Sequence, residues 1–118
     1  SISSIRKLYE NKKITGIFQP HLYSRTRDFA DDFASSLSLL DELILLDIYP
    51  AREEPIDGVS SQLIFNKVTI DNKTMCSKEE LIELLKKEKR EVVITIGAGD
   101  IETLIPKIKQ LYRDNQEY

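Results

Sequence analysis

The chain has no tryptophan, one cysteine, one methionine and one histidine in 118 residues. A single cysteine, Cys76, excludes an internal disulfide and suits a reducing cytosol. A single histidine, His21, excludes a metal centre built from several histidines. No apolar run approaches the roughly 18 residues of a membrane-spanning helix. No signal-peptide pattern opens the chain, no internal repeat recurs along it, and no tract of low complexity or dividing linker interrupts it. There is no G-x-x-x-x-G-K-[ST] phosphate loop, no paired metal-ligand set and no nucleophile elbow. The net charge of -3 argues against a general nucleic-acid binder, whose domains are usually basic. The chain begins at Ser1, inside a helical pattern, so the expectation is an excised piece of a longer protein.

What remains is 41% apolar residues, enough for one compact domain over residues 1–118 with its own core. Ile2, Ile5, Leu8 and Tyr9 recur at helical spacing, which predicts a short helix over 2–10. The run 14–18 reads as a buried strand that Pro20 limits. A helix follows, capped by Ser24 or Thr26, with a stripe of Phe29, Ala30, Phe33, Ala34, Leu37 and Leu40. Asp28, Asp31 and Asp32 are expected in its first turns, complementing the macrodipole. Residues 42–49 form a near-continuous apolar run, as in a strand buried on both faces. After a loop over 50–58, a short helix over 59–65, started by Ser60 or Ser61, and an edge strand over 67–70 are expected. Ser77 and Glu80 form a capping box for a helix running to about Lys89. The last strand is read at 91–96. The final helix buries Ile101, Leu104, Ile105, Ile108 and Leu111, with Pro106 as a kink or restart and residues 113–118 frayed. Strands alternating with helices predict an α/β fold: a three-layer α/β/α, Rossmann-like domain with a mostly parallel sheet of about four strands.

In such a sheet, ligands sit beyond the carboxyl ends of the strands, beside helix N-termini. Three strand ends carry unusual chemistry here. His21, Tyr23, Ser24, Arg25 and Thr26 follow the first strand, Asp47, Tyr49, Arg52 and Glu53 follow the second, and Gly97-Ala98-Gly99-Asp100 follows the last. Right-handed crossovers would put these ends on one rim, suited to a carboxylate or phosphate. Each element also has a plainer reading. His21 can be an ordinary turn residue, and Arg25 and Arg27 can pair with nearby acids on the surface. The glycine turn lacks a third glycine and does not follow the first strand, so it is a weak dinucleotide fingerprint. Asp100 reads better as a helix cap than as a ligand. Cys76 lies in a polar connector and is given no catalytic role.

Phe18-Gln19-Pro20-His21, followed by Tyr23-Ser24-Arg25-Thr26-Arg27-Asp28, resembles the F-Q-P-H-x-Y-[ST]-R-T-R-[DE] motif of the UDP-N-acetylmuramate–L-alanine ligase family of Mur ligases. Asp47-Ile48-Tyr49-Pro50-Ala51-Arg52-Glu53, with Pro55-Ile56 and Gly58-Val59-Ser60-Ser61, is similar to its second segment. Thr95-Ile96-Gly97-Ala98-Gly99-Asp100-Ile101 is similar to its third. Order and spacing match over nearly the whole chain.

The resemblance implies the C-terminal, amino-acid-binding domain of an ATP- and Mg2+-dependent ligase of bacterial peptidoglycan synthesis, a cytoplasmic enzyme, and a domain that positions the incoming amino acid and closes over ATP. It implies that the UDP-sugar and ATPase domains lie elsewhere. The family's D-Y-x-H-H-P segment and the antiparallel strand before it are absent, so the domain is expected to be N-terminally trimmed. Within the family, ATP activates the carboxylate of UDP-N-acetylmuramate as an acyl phosphate, which the amine of L-alanine attacks. By resemblance, His21, Arg25, Gly97, Ala98 and Gly99 hold L-alanine, and Tyr23, Ser24, Thr26, Asp47, Tyr49 and Arg52 shape the pocket. Leu22 stands where many members carry a second arginine. The resemblance places the last strand between the first two. It assigns this domain no catalytic residue, no metal, no nucleic-acid or membrane partner and no activity in isolation. Two other readings stand beside it: a tripeptide-adding ligase of cell-wall recycling, whose members depart from the string 21–26, and a free-standing α/β module that binds anions or nucleotides without chemistry. A truncated structural domain with a merely solvated rim is a third.

Overall fold

The structure is a computed structural model that describes residues 2–97 and 99–115. Nine elements follow in order: α1 (Ile2–Leu8), β1 (Ile14–Gln19), α2 (Tyr23–Leu37), β2 (Glu42–Leu45), α3 (Ser61–Lys67), β3 (Lys73–Met75), α4 (Lys78–Lys86), β4 (Val92–Gly97) and α5 (Asp100–Asn115). The four strands form one sheet in the order β3-β2-β1-β4, and every pairing is parallel. The expected α/β, Rossmann-like fold is present.

Two-residue periodicity assigns the apolar side chains to two cores. Ile14, Phe18, Leu43 and Leu45 face α1, α2 and α3, where Ala30, Ala34, Leu37 and Ile64 complete one cluster. Ile17, Ile44 and Leu46 face α4 and α5, where Leu81, Leu85, Ile101, Leu104 and Ile108 complete the other. Each fully buried Leu or Ile contributes about 1.5–3 kcal/mol relative to exposure. All six residues of β1 are buried, because β1 is paired on both edges and covered on both faces. Among the described residues no helix is long and apolar enough to cross a membrane.

Several expectations need correction. The last strand does not insert between the first two: β1 pairs directly with β2 and carries β4 on its other side. β4 is thus an edge strand among the described residues, with half-buried side chains. The predicted strand over 67–70 is absent. Val68 instead closes α3, its amide donating to the Ile64 carbonyl, and β3 forms further on, at Lys73–Met75. The Lys73 ammonium donates to the carbonyls of Phe65 and Val68, so a residue of β3 caps α3.

Helix α2 starts at Tyr23, earlier than Ser24 or Thr26 would cap it, and Asp28, Asp31 and Asp32 therefore fall beyond its first turn. Phe29 leaves the stripe: its backbone is non-helical (φ -120°, ψ 18°) and it is 46% exposed. Leu8, the last residue of α1, is likewise 73% exposed. Helix α4 ends at Lys86, short of Lys89. Pro106 lies inside a continuous α5, and residues 113–115 remain helical, while 116–118 of the stretch expected to fray lie outside the described residues.

At the amino ends of the strands, Glu42 of β2 and Arg90, just before β4, form a bidentate ion pair of 2.7 and 3.1 Å. The Thr15 hydroxyl of β1 donates to the same carboxylate at 2.7 Å. The two charged side chains are only 6% and 12% exposed. Burial alone would raise the Glu42 pKa, but the guanidinium and the Thr15 hydroxyl outweigh it and hold the carboxyl below its ordinary value. The clasp pins three adjacent strands at the end opposite the glycine turn. Removing one partner strands the other charge, so Arg90→Ala is expected to cost about 3 kcal/mol of stability in urea melts. A loss below about 0.5 kcal/mol would show the pair to behave like a surface bridge.

Candidate functional site

The chain runs outward from β1 on one side, through α2 to β2 and β3, then crosses back to β4 on the other side of β1. The carboxyl ends of β1 and β4 therefore flank the point where the strand order reverses, which is where open α/β sheets bind ligands. His21 follows the first of these strand ends and Gly97 closes the second. Gln19 is paired in register with Gly97, and an isolated parallel bridge joins His21 to Tyr49 beyond β2.

Backbone hydrogen bonds hold this bridge. The Leu22 amide donates to the Tyr49 carbonyl, and the Tyr49 amide donates to the Pro20 carbonyl, both at 2.8 Å. The imidazole of His21 stacks on the Tyr49 ring, with centroids 5.7 Å apart and planes 16° apart. Gly99 lies against the same ring: a Cβ there would sit 2.4 Å from Tyr49 Cγ. A Cβ on Gly97 would sit 2.2 Å from the Gln19 carbonyl oxygen. Both glycines have positive φ, 112° and 102°, so a side chain at either is strained as well as crowded. His21, Tyr49 and Gly99 are thus one packed cluster, and Gly97 lies against the Gln19 backbone two residues before His21. Ala98, the middle residue of the expected turn, lies outside the described residues.

The loop that leaves β1 carries strain. Leu22 adopts φ 72° and ψ 139°, a region that costs a non-glycine residue about 1–3 kcal/mol. It is held there because its amide serves Tyr49 and its carbonyl accepts from both the amide and the hydroxyl of Thr26. Thr26 is therefore fully buried and turned inward. Its hydroxyl, expected among the pocket-shaping groups, bonds the Leu22 carbonyl and shapes the turn from inside.

The α2 N-terminus is also already served. The Glu53 carboxylate, from the loop after β2, accepts from the Ser24 amide at 3.0 Å and from the Ser24 hydroxyl. Residue Tyr23 opens α2 and its amide also points to this carboxylate. These donors, offered by the sequence to a ligand's anion, are occupied by an internal carboxylate.

The two arginines of the motif differ in what they touch. Arg27 pairs with Asp28 at 2.8 Å. Arg25 is exposed, lies 5.7 Å from the Phe29 ring centroid, and makes no ion pair among the described residues. Arg25 is on α2 and not within the ring cluster itself. Asp47 and Arg52 are exposed at the rim; Asp47 contributes its backbone carbonyl, through Gln19, more than its side chain. Cys76 is half-buried, and burial pushes its thiol up to about 11, so it is not a thiolate at neutral pH.

Gln19 is the residue whose importance the sequence did not reveal. It is 2% exposed. Its Oε1 accepts from the Ile101 amide at 2.9 Å, and its Nε2 donates to the Asp47 carbonyl at 3.2 Å. The available signals were its place in the Phe18-Gln19-Pro20-His21 motif and a polar amide ending a buried strand just before a proline. The cap expected from Asp100 is thus supplied by Gln19, while Asp100 is the first helical residue and pairs with Lys78 at 3.2 Å.

The Ser24 hydroxyl and amide hold the Glu53 carboxyl below its ordinary value of 4.5. A depressed pKa means the contact stabilises fully above 4.5 and is lost as pH falls through the lower, folded value. Amide protection at Tyr23 and Ser24 is expected to hold above pH 4.5 and to drop as the pH is lowered below it, measured by hydrogen exchange corrected for intrinsic rates. Glu53→Gln should abolish that dependence; an unchanged pH profile in the variant would remove Glu53 from the cap.

No family model matches the chain. Known proteins do. A UDP-N-acetylmuramate–L-alanine ligase of Parabacteroides distasonis is 65% identical over 111 residues, which is 94% of this chain and 24% of that protein. Ligases of the same name from Phocaeicola vulgatus and Flavobacterium psychrophilum are 60% and 55% identical over 109 and 107 residues, again 24% of each. The chain spans about a quarter of the length of the curated relatives it matches. With a parallel, Rossmann-like sheet and a glycine turn beside the Gln-Pro-His strand end, the chain belongs to the UDP-N-acetylmuramate–L-alanine ligase family of Mur ligases and corresponds to its C-terminal domain.

Proposed function

We propose that this domain holds L-alanine for its ligation to UDP-N-acetylmuramate, in peptidoglycan synthesis in the bacterial cytoplasm. One observation carries the reading: the His21, Tyr49 and glycine-turn cluster lies at the sheet's reversal point, and Arg25, on the helix that leaves it, makes no ion pair among the described residues. A guanidinium can take a carboxylate by two parallel hydrogen bonds, and an imidazole can add a third donor. The glycine turn packs closely on Gln19 and Tyr49 because no Cβ intervenes.

The donor set does not fit a nucleotide–magnesium centre. Among the described residues no three of His, Cys, Asp and Glu come together, and the only carboxylate at the α2 start is committed to Ser24. ATP and Mg2+ belong, on this reading, to the domains of the longer enzyme that the chain does not include, and they supply the activated sugar carboxylate there. This chain's residues grip the amino acid's carboxylate, leave its amine free, and bring it to that carboxylate as the domains close. Holding the amine in place replaces a bimolecular encounter by an oriented one. No group here is assigned proton transfer, so the isolated domain is expected to be inactive.

The test uses the full-length ligase. Arg25→Ala is expected to raise the KM for L-alanine about 10- to 100-fold, the equivalent of roughly 1.5–3 kcal/mol for a hydrogen bond to a charged group. The KM for ATP should stay within about twofold. Unchanged steady-state constants for L-alanine would take Arg25 out of the pocket.

A further inference from the structure

We infer that Gln19 is a positioning residue for the amino-acid notch, acting through the glycine turn and the start of α5; the inference rests on the L-alanine reading above. The Gln19 side chain is buried, yet it is polar, and an apolar residue would fill the same space without a desolvation cost. What the amide adds is direction. Its oxygen must face the Ile101 amide and its NH2 must face the Asp47 carbonyl. Rotating the amide by half a turn would set donor against donor and acceptor against acceptor, so only one orientation satisfies both ends. The same NH2 lies 3.5 Å from the Asp100 carboxylate, which adds to that preference.

Three parts of the rim therefore meet on one side chain: the end of β1, the segment leaving β2, and the first turn of α5. The glycine turn is the link between β4 and α5, and it is held from two sides. Gln19 fixes the turn's α5 end through Ile101 and its β4 end through the close approach of its own backbone to Gly97. The Tyr49 ring closes the other side against Gly99 and carries the His21 imidazole on it. The spacing between the imidazole and the turn's amides is thus set by two residues that bracket them, one of which also immediately precedes Pro20-His21. A ligand gripped by His21 and by those amides feels any loosening of Gln19 as a change in that spacing.

Two substitutions in the full-length ligase test this. Gln19→Glu keeps the size and the acceptor for Ile101 but removes the donor for Asp47 and sets a carboxylate against Asp100. Gln19→Met removes both bonds. Both are expected to raise the KM for L-alanine about tenfold while the KM for ATP and for the UDP-sugar stays within twofold, in assays well below the variants' melting temperatures. A merely structural role would reduce the folded fraction, lowering kcat and leaving every KM unchanged, and that result would overturn the inference. Should Gln19→Met not fold, Gln19→Glu alone decides. Arg25→Ala, run in parallel, separates the two levels. If it raises the KM for L-alanine and the Gln19 variants do not, positioning by Gln19 is wrong. If none of the three raises it, the L-alanine reading falls as well.

Discussion

Everything at the rim depends on β1 being paired on both edges. A parallel strand between two others, covered by helices on both faces, has no freedom to shift register without exposing its apolar side chains. The residues that follow it leave the sheet at one defined point. On one side the chain goes to β2 and on the other it returns at β4, so the loops diverge and leave a crevice. The Glu42–Arg90 clasp anchors the far end of the same three strands, and Gln19 anchors the near end. The sheet is thus tied at both ends by polar groups and in the middle by apolar ones.

The rim's polar groups divide into committed and uncommitted. Thr26 bonds the Leu22 carbonyl, Ser24 is bound by Glu53, Arg27 by Asp28 and Asp100 by Lys78. These contacts consume most of the donors that make the sequence look like an anion site. Exposed pairs such as Arg27–Asp28 contribute little stability, and their effect is to take a charge out of play. Arg25 is left without an ion pair among the described residues, held only against Phe29, and Phe29 is exposed because the helix departs from regular geometry there. The irregular turn and the free guanidinium belong to one local feature.

Much of this was legible beforehand, for identifiable reasons. The α/β class followed from apolar runs alternating with amphipathic stretches, and the capping box of Ser77 and Glu80 from a local pattern that tertiary contacts do not override. Ser60 likewise caps α3. The errors lie where distant parts of the chain decide. The strand expected over 67–70 has a suitable apolar pattern, but Val68 is used to end α3, and the short segment at Lys73–Met75 finds the free edge of β2 instead. The helix cap expected at Ser24 or Thr26 was displaced because Leu22 is fixed by Tyr49, a residue more than twenty positions away.

By itself, the sequence determined which segments are buried, the serine caps of α3 and α4, and which rim residues carry charge and glycine freedom; those properties arise from a few neighbouring residues. Only the tertiary structure decided that β4 lies outside β1 rather than within the sheet, that Glu53 fills the α2 terminus, and that Gln19 reaches Ile101 and Asp47. Each of those outcomes is a contact between residues far apart in the chain. Its geometry depends on strand order and register, which no local pattern encodes.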